Sequence, residues 1–188
     1  MYGLVNKAIQ DLVVSGHGEQ AWTNICTDAG VDTTQFVAMQ NYPDAITYGL
    51  VGQVSATLGA PPEEVLKAFG RHWVKFTGRE GHKDVFEMYP KGKEGLVSFL
   101  ENLDDMHARM MMAMPELKPP QIYSERLSED KLRIHYVSHR AGLGPMVTGL
   151  LDGLFEYFEV SATSEHLPAD AGAGRDHDEF LVEFAHAG

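Results

Sequence analysis

Along residues 1–77, apolar side chains recur every three or four positions, which is the period of one face of an α-helix. This spacing predicts four helices, and a glycine or a proline marks the limit of each one. The predicted helices are 4–13 before Gly16 and Gly18, 20–29 before Gly30, 45–58 before Gly59, and 63–77 after Pro61 and Pro62. Residues 78–92 are rich in glycine and charge, and they predict a connection with one short helix.

A longer helix is predicted at 94–114, and it carries a histidine on its apolar stripe. The stripe has spacings of three and four and consists of Leu96, Phe99, Leu103, Met106, His107, Met110 and Met114. Pro115 ends the helix, because proline cannot continue it. His107 has two interpretations, a core histidine bonded to a backbone carbonyl or an axial ligand of a haem iron. A methionine-rich surrounding suits both interpretations.

Beyond Pro120 the apolar period falls to about two residues, which is typical of half-buried strands. Residues 121–127 and 131–138 predict a hairpin with its turn at 128–130, 145–155 predict a helix, and 156–163 and 179–185 predict two strands around a loop at 169–174. Helices followed by an antiparallel sheet of about four strands predict an α+β fold. We expect a single domain, 1–188, with a helical part at 1–60 and a mixed part that contains the sheet at 61–188.

Charge and composition exclude several classes of function. The formal net charge of -12 argues against nucleic acid and against an anionic membrane surface, since phosphates are bound by clustered Lys and Arg. No apolar run approaches the roughly 18 residues of a membrane-spanning helix. The single cysteine, Cys26, cannot supply a thiolate zinc site or an iron–sulfur site. With no internal disulfide and no signal peptide, we expect a cytoplasmic location.

Tyr136, Ser138 and Arg140 alternate at the end of a predicted strand, so the pattern places their side chains on one face. Two hydroxyls and a guanidinium suit a carboxylate, which arginine binds through two parallel hydrogen bonds. Because an apolar run precedes them, they fit an apolar ligand that bears carboxylates, such as haem with its two propionates. A solvated strand face would give the same pattern. A haem-free site for an apolar acid clamped by Arg140 also stays open.

The segment YVSHR at 136–140 resembles the YxSxR haem-propionate motif of H-NOX (haem-nitric oxide/oxygen binding) domains, relatives of the soluble guanylate cyclase haem domain. The resemblance is to the stand-alone bacterial type and covers essentially the whole chain. It includes MYGLVN at 1–6, ENLDDMHAR at 101–109, the proline pair at 119–120 and RAGLGPM at 140–146.

The resemblance implies a haem b buried between the helical part and the sheet. His107 would be the axial ligand of the iron, and Tyr136, Ser138 and Arg140 would bind the propionates. The residues expected to pack on the haem are Leu103, Met106, Met110 and Pro120, the last of which would help to distort the macrocycle. The residues expected in the distal pocket are Leu4, Val5, Ile9, Trp73, Leu143, Pro145 and Met146.

By the same resemblance, the chain is a gas sensor and not an enzyme. Oxygen-binding members place a distal tyrosine five residues after the motif arginine, and here that position is Pro145, which donates no hydrogen bond. We therefore expect ferrous haem to bind nitric oxide and carbon monoxide and to exclude oxygen, with the indole N–H of Trp73 as the one reservation. Nitric oxide would weaken the bond from iron to His107. The change would pass to a separate protein, by family analogy a histidine kinase or a cyclic-di-GMP enzyme.

Two other haem functions stay open, a passive carrier of haem or gas and an enzyme acting on nitric oxide or peroxide. A peroxide enzyme needs a distal acid–base pair, which the expected distal residues do not offer. A carrier cannot be separated from a sensor by sequence.

The remaining histidines are not expected to bind iron. His135 and His139 are out of phase with Tyr136, so we expect them on the opposite side of the strand. Some relatives have a cysteine-rich zinc site near the C-terminus. This chain has His166 and His177 in that region but no cysteine, and we expect that zinc site to be absent.

Overall fold

The structure is a computed structural model that describes residues 1–79, 83–168 and 176–185. Its helices are α1 (Gly3–Asp28), α2 (Asp44–Leu58), α3 (Pro62–Thr77), α4 (Lys83–Glu87), α5 (Lys93–Glu101), α6 (Leu103–Ala113) and α7 (Gly144–Phe158). Its strands are β1 (Gln121–Arg126), β2 (Lys131–Ser138), β3 (Ala162–Pro168) and β4 (Asp176–Phe184). No helix in the described ranges is long and apolar enough to cross a membrane.

The predicted break in the first helical region is a kink. Gly18 lies inside α1 with φ 83° and ψ 167°, a backbone conformation that only glycine adopts without strain, and the two predicted helices continue on either side of it. Gly59 ends α2 in the left-handed conformation with φ 64°, as the sequence predicts.

The prediction of a single helix at 94–114 is wrong, because the helix is interrupted at Asn102. Asn102 has φ -99° and ψ 2°, and its side-chain amide donates to the Ser98 carbonyl at 2.7 Å. Such a bond competes with the next turn of a helix. The apolar stripe is therefore divided between α5, which has buried residues, and α6, which has none.

The four strands form one antiparallel sheet in the order β1-β2-β4-β3, which confirms the predicted α+β fold. Leu132, Ile134, Tyr136 and Ser138 are buried on one face of β2. The bounds predicted for the third strand, 156–163, are wrong: α7 continues to Phe158, where Phe155 and Phe158 are buried on one helical face, and β3 begins only at Ala162. Glu159 then ends the helix with φ 58°. Of the loop predicted at 169–174, all residues lie outside the described ranges.

Two hydrophobic clusters make up the core. One joins the sheet to α5 and α7, and the other joins α1, α2 and α3. α3 and α7 pack closely against each other because glycines lie at their contact. A Cβ atom at Gly70 would lie 2.0 Å from the Met146 carbonyl oxygen, and a Cβ atom at Gly149 would lie 1.9 Å from the Lys67 carbonyl oxygen. α3, which follows residue 60, packs into the cluster of α1 and α2. The division of the chain into two parts at residue 60 stays a prediction.

Candidate functional site

A cavity of about 620 Å³ lies between the two clusters, and its lining is mostly apolar. This volume is ordinary for a small-molecule or cofactor site, which typically measures roughly 300–1,000 Å³. Side chains from α1, α3, α6, β2 and α7 contribute to the lining. The arrangement suits a largely apolar ligand held by a few polar groups.

His107 lies on α6 in the wall of this cavity. Its Nδ1 atom is buried and makes no hydrogen bond of ordinary geometry among the described residues. Burial lowers the pKa of His107, while the Asp104 carboxylate and the Pro120 carbonyl beside the ring partly oppose that change. Burial therefore favours the neutral form of the ring, which is the form that binds a metal ion.

Asp104 connects the helix of His107 to the sheet. Its Oδ1 accepts the backbone N–H of Ile122 at 2.9 Å, so the first turn of α6 is tied to the start of β1. Ile122 itself is buried in the cluster of the sheet. The position of His107 thus depends on a residue one turn away that the sequence analysis did not single out.

Tyr136 and Ser138 are buried on the inner face of β2. Burial raises the pKa of the Tyr136 hydroxyl, and a hydrogen bond with Ser138 acts in the opposite direction. Ser138 Oγ also accepts the backbone N–H of Arg140 at 3.0 Å. Tyr136 lines the cavity, whereas Ser138 lies outside its lining and fixes the turn that follows the strand.

Arg140 lies two residues beyond the end of β2, so only Tyr136 and Ser138 share the strand face predicted for all three. Its guanidinium lines the cavity and binds Asp44, with Nε to Oδ2 at 2.9 Å and Nη2 to Oδ1 at 3.4 Å. Nη1 donates to the Lys118 carbonyl at 2.8 Å. The two parallel contacts are those of a bidentate arginine–carboxylate pair.

Sequence reasoning missed Asp44, the first residue of α2, which is 96 positions from Arg140. Burial alone would raise the pKa of Asp44, but hydrogen bonds from the Met1 amino group and from Arg140 outweigh burial and lower it. The carboxylate is therefore charged beside Arg140. An acidic residue that begins a helix was the only local feature that marked it.

Most residues expected in the distal pocket line the cavity, and these are Leu4, Val5, Ile9, Trp73, Leu143 and Met146. Pro145 is not among the lining residues, because it lies in the first turn of α7 between Leu143 and Met146, which face the cavity. Trp73 makes no hydrogen bond through its indole N–H within the described part of the chain. The Thr47 hydroxyl, which also lines the cavity, donates to the fully buried Asn6 at 2.7 Å.

The four residues expected to pack on haem, Leu103, Met106, Met110 and Pro120, line the cavity together with His107. His139 also lines it, so the expectation that it faces away is wrong, because the chain leaves the strand at Ser138 and alternation ends there. His135 does lie on the outer face of β2, opposite to Tyr136.

The family model for Haem-NO-binding domains matches residues 2–166 of this chain. The chain belongs to this family, the H-NOX family of haem-based gas-sensing domains. The resemblance identified from the sequence is thereby confirmed.

Curated relatives of this H-NOX chain are soluble guanylate cyclases. It is 25% identical to gcy-31 of Caenorhabditis elegans over 178 residues, which are 94% of this chain and 25% of that protein. It is 24% identical to soluble guanylate cyclase 89Db of Drosophila melanogaster over 158 residues, 84% of this chain and 23% of that protein. The chain spans about a quarter of these relatives, so their activity as whole proteins does not carry over to it.

Solved H-NOX structures share the fold. The H-NOX protein from S. oneidensis in the Fe(II)NO ligation state superimposes with a TM-score of 0.86 at 22% identity, covering 99% of this chain and 100% of that one. A mutant of T. Tengcongensis H-NOX gives a TM-score of 0.85 at 19% identity, with 99% and 98% covered. At these identities the likeness shows the fold alone.

Proposed function

We propose that this chain binds haem b, senses nitric oxide with the ferrous protein while excluding oxygen, and signals to a separate protein through His107. Carbon monoxide would bind as a second gas. The observation that carries the proposal is an imidazole with a buried Nδ1 atom, His107, in the wall of an apolar cavity of about 620 Å³.

The residues around the cavity fit a haem. His107 offers an imidazole from α6, and Leu103, Met106, Met110 and Pro120 surround it with apolar contacts. A haem bears two carboxylates at one edge of an apolar disc. Tyr136 and Arg140 would bind these propionates, and Ser138 would hold Arg140 in place through its backbone N–H.

The bond between Arg140 and Asp44 shows that a carboxylate is a suitable ligand for this guanidinium. Asp44 is only partly buried, with 35% of its side chain exposed, so it can turn away or share the arginine with a propionate. Arg140, at 12% exposure, is held more firmly.

His107 would hold the haem, the haem would supply the binding of a diatomic gas, and binding of nitric oxide would loosen its hold on His107. The consequence for the protein follows from α6, which has no buried residue and is tied to β1 through Asp104. Release of His107 would let α6 move relative to α5. A shift between two packing arrangements is a change that a partner protein can read.

The apolar residues of the distal wall support the proposed exclusion of oxygen. A hydrogen-bond donor strengthens oxygen binding, and the lining residues Leu4, Val5, Ile9, Leu143 and Met146 have none in their side chains. Thr47 already donates to Asn6. The indole N–H of Trp73 is the donor that the substitution Trp73→Phe would test, and unchanged gas dissociation rates would mean that Trp73 only packs.

The test of the proposal is the absorption spectrum of the purified protein, reduced without oxygen and then exposed separately to air and to nitric oxide. We expect a haem spectrum that nitric oxide shifts and that air does not convert to an oxygen complex. His107→Gly should retain haem only with added imidazole, whereas His139→Gly, which removes another histidine of the cavity lining, should retain it without. A colourless protein, or a His107→Gly variant with an unchanged spectrum, would contradict the proposal.

Coupling to a partner needs a separate readout. With a candidate histidine kinase or cyclic-di-GMP enzyme, the His107→Gly protein should affect the partner as the nitric oxide-bound protein does. If it acts like the unliganded wild type, the release of His107 is not the signal. No gas-dependent effect on any partner would favour a passive carrier.

A further inference from the structure

Three ionisable side chains converge on the outer face of the sheet, away from the cavity. His135 lies on β2 directly opposite Glu179 on β4, and His177 on β4 pairs with the neighbouring Val137. Because Tyr136 faces inward, the alternation of the strands turns His135, His177 and Glu179 outward together. His135 is mostly shielded, with 12% of its side chain exposed, and Glu179 has 28% exposed.

The distances between these groups match a metal site. His135 Nδ1 is 3.1 Å from His177 Nε2 and 3.4 Å from a Glu179 carboxylate oxygen, and one ligand atom from each residue lies within 4.8 Å of the others. Zinc binds imidazole nitrogen and carboxylate oxygen at about 2.0–2.2 Å, which places tetrahedral ligands about 3.3–3.6 Å apart. In the described part of the chain this is the one group of three such residues that converges in this way.

Neighbouring side chains orient the three groups. The Tyr123 ring stacks on His135 at 4.5 Å with an angle of 13° between the planes, which fixes the imidazole. Glu125 lies 3.8 Å from His135 Nε2, on the far side of the ring from the other two groups. A carboxylate behind a metal-binding imidazole is a common supporting contact, because it sets which nitrogen is free to bind.

Arg133 orients the carboxylate. Its Nε is 3.4 Å from Glu179 Oε2, while Oε1 of the same carboxylate faces His135 Nδ1. One oxygen is therefore engaged with a cation and the other is directed at the imidazole. A hydrogen bond between the two histidines alone explains the 3.1 Å contact but not the convergence of the carboxylate on the same nitrogen.

We propose that His135, His177 and Glu179 bind a divalent transition metal ion, with Zn²⁺ as the best match to two imidazoles and one carboxylate. Water would complete the coordination. The site differs from the cysteine-rich zinc site of some relatives, and it does not use His166, which is bonded to Asp178 at 2.9 Å and stacked on the buried Phe180. The proposal is independent of whether the cavity holds haem.

An ion at this position would link β2 to β4 through side chains, next to the strand residue Tyr136 that lines the cavity. Binding to the folded chain alone would stabilise it. Thermal unfolding is therefore a second readout that does not depend on the gas chemistry of the protein.

The experiment is titration of the chelator-treated purified protein with Zn²⁺, followed by calorimetry, and with Co²⁺, followed by visible absorption. We expect one ion per chain and a tetrahedral Co²⁺ spectrum. Loss of a supporting contact costs about 10–100-fold in metal affinity, so His135→Gln, His177→Gln and Glu179→Gln should each lose roughly 100-fold or more. Zinc should raise the unfolding temperature of the wild type and not that of His177→Gln.

Matched controls separate this site from other histidines. His17→Gln removes an exposed surface histidine, and His166→Gln removes one from the same sheet. Both should bind zinc as the wild type does. The proposal is overturned if the wild type shows no saturable binding, or if one of these controls loses as much affinity as His177→Gln while keeping its cooperative unfolding.

Discussion

α5 and α6 follow one another with only Asn102 between them, yet the fold anchors them differently. α5 has Gly95, Leu96, Val97, Phe99 and Leu100 buried against the sheet and α7. α6 is longer by two residues and has none buried. Elements with few buried apolar contacts are those that open or shift at low free-energy cost. The chain thus places His107 on the helix that can move and leaves the neighbouring helix as a fixed support.

The largest expected difference between the two helices is in the free energy of unfolding. Leu96→Ala in α5, where the side chain is 0% exposed, should cost about 2–5 kcal/mol through the cavity it leaves. Met110→Ala in α6 should cost less than about 1 kcal/mol when both variants are prepared without haem, because Met110 is only partly buried by the chain itself. Urea unfolding of both variants measures the two values. Equal costs would mean that α6 is anchored as firmly as α5.

A smaller effect is expected where α6 is tied to the sheet. Asp104→Ala leaves the buried Ile122 N–H without an acceptor, which should cost about 1–3 kcal/mol. Asp104→Asn keeps an oxygen acceptor and should recover most of that loss. Hydrogen exchange should show reduced protection across 103–113 in Asp104→Ala, with α5 unchanged. A uniform loss of protection in both helices would refute an independent α6.

Asn102→Ala tests the junction itself. It removes the hydrogen bond from the side-chain amide to the Ser98 carbonyl. This hydrogen bond is exposed to solvent, and its loss should lower the free energy of unfolding by about 0.5–1.5 kcal/mol. Without the competing bond, α5 can extend toward α6, so we expect higher helicity by circular dichroism and slower exchange near residue 102. If neither changes, packing and not Asn102 sets the break.

The sequence was most informative where local chemistry decides the backbone. Gly18 and Gly59 mark the kink and the helix end because positive φ favours glycine. The period of two correctly predicts β2 at 131–138 and the shared face of Tyr136 and Ser138. The family motifs supplied the rest of the candidate site, since His107 taken alone also fits a core histidine.

The features that sequence reasoning missed depend on contacts between distant positions. The bond from Arg140 to Asp44 joins residues 96 positions apart, and no periodic pattern encodes it. Phe155 and Phe158 suit a strand or a helix, and only packing of α7 on the sheet selects the helix. Similarly, alternation turns His135 outward, but its pairing with Glu179 follows from the register of β2 and β4.

The smallest expected effect is the pH dependence that His107 adds to the stability of the protein prepared without haem. Burial lowers the pKa of His107 in the folded chain below that in the unfolded chain, which is about 6.5. Between these two pKa values the unfolded state binds more protons, so the free energy of unfolding rises with pH. The contribution of His107 is therefore complete above about pH 6.5 and is lost as the pH falls through the folded value.

Urea unfolding between about pH 5 and pH 8 should show a shallower slope in His107→Gln than in the wild type, with His17→Gln as the exposed control. Asp104→Asn sharpens the test, because its carboxylate opposes the effect of burial on the His107 pKa, and its removal should lower that pKa further. The slope of Asp104→Asn should then extend to lower pH than that of the wild type. Identical slopes in wild type and His107→Gln would mean that α6 does not hold the ring neutral in the cavity, and the contrast between the two helices would lose its functional meaning.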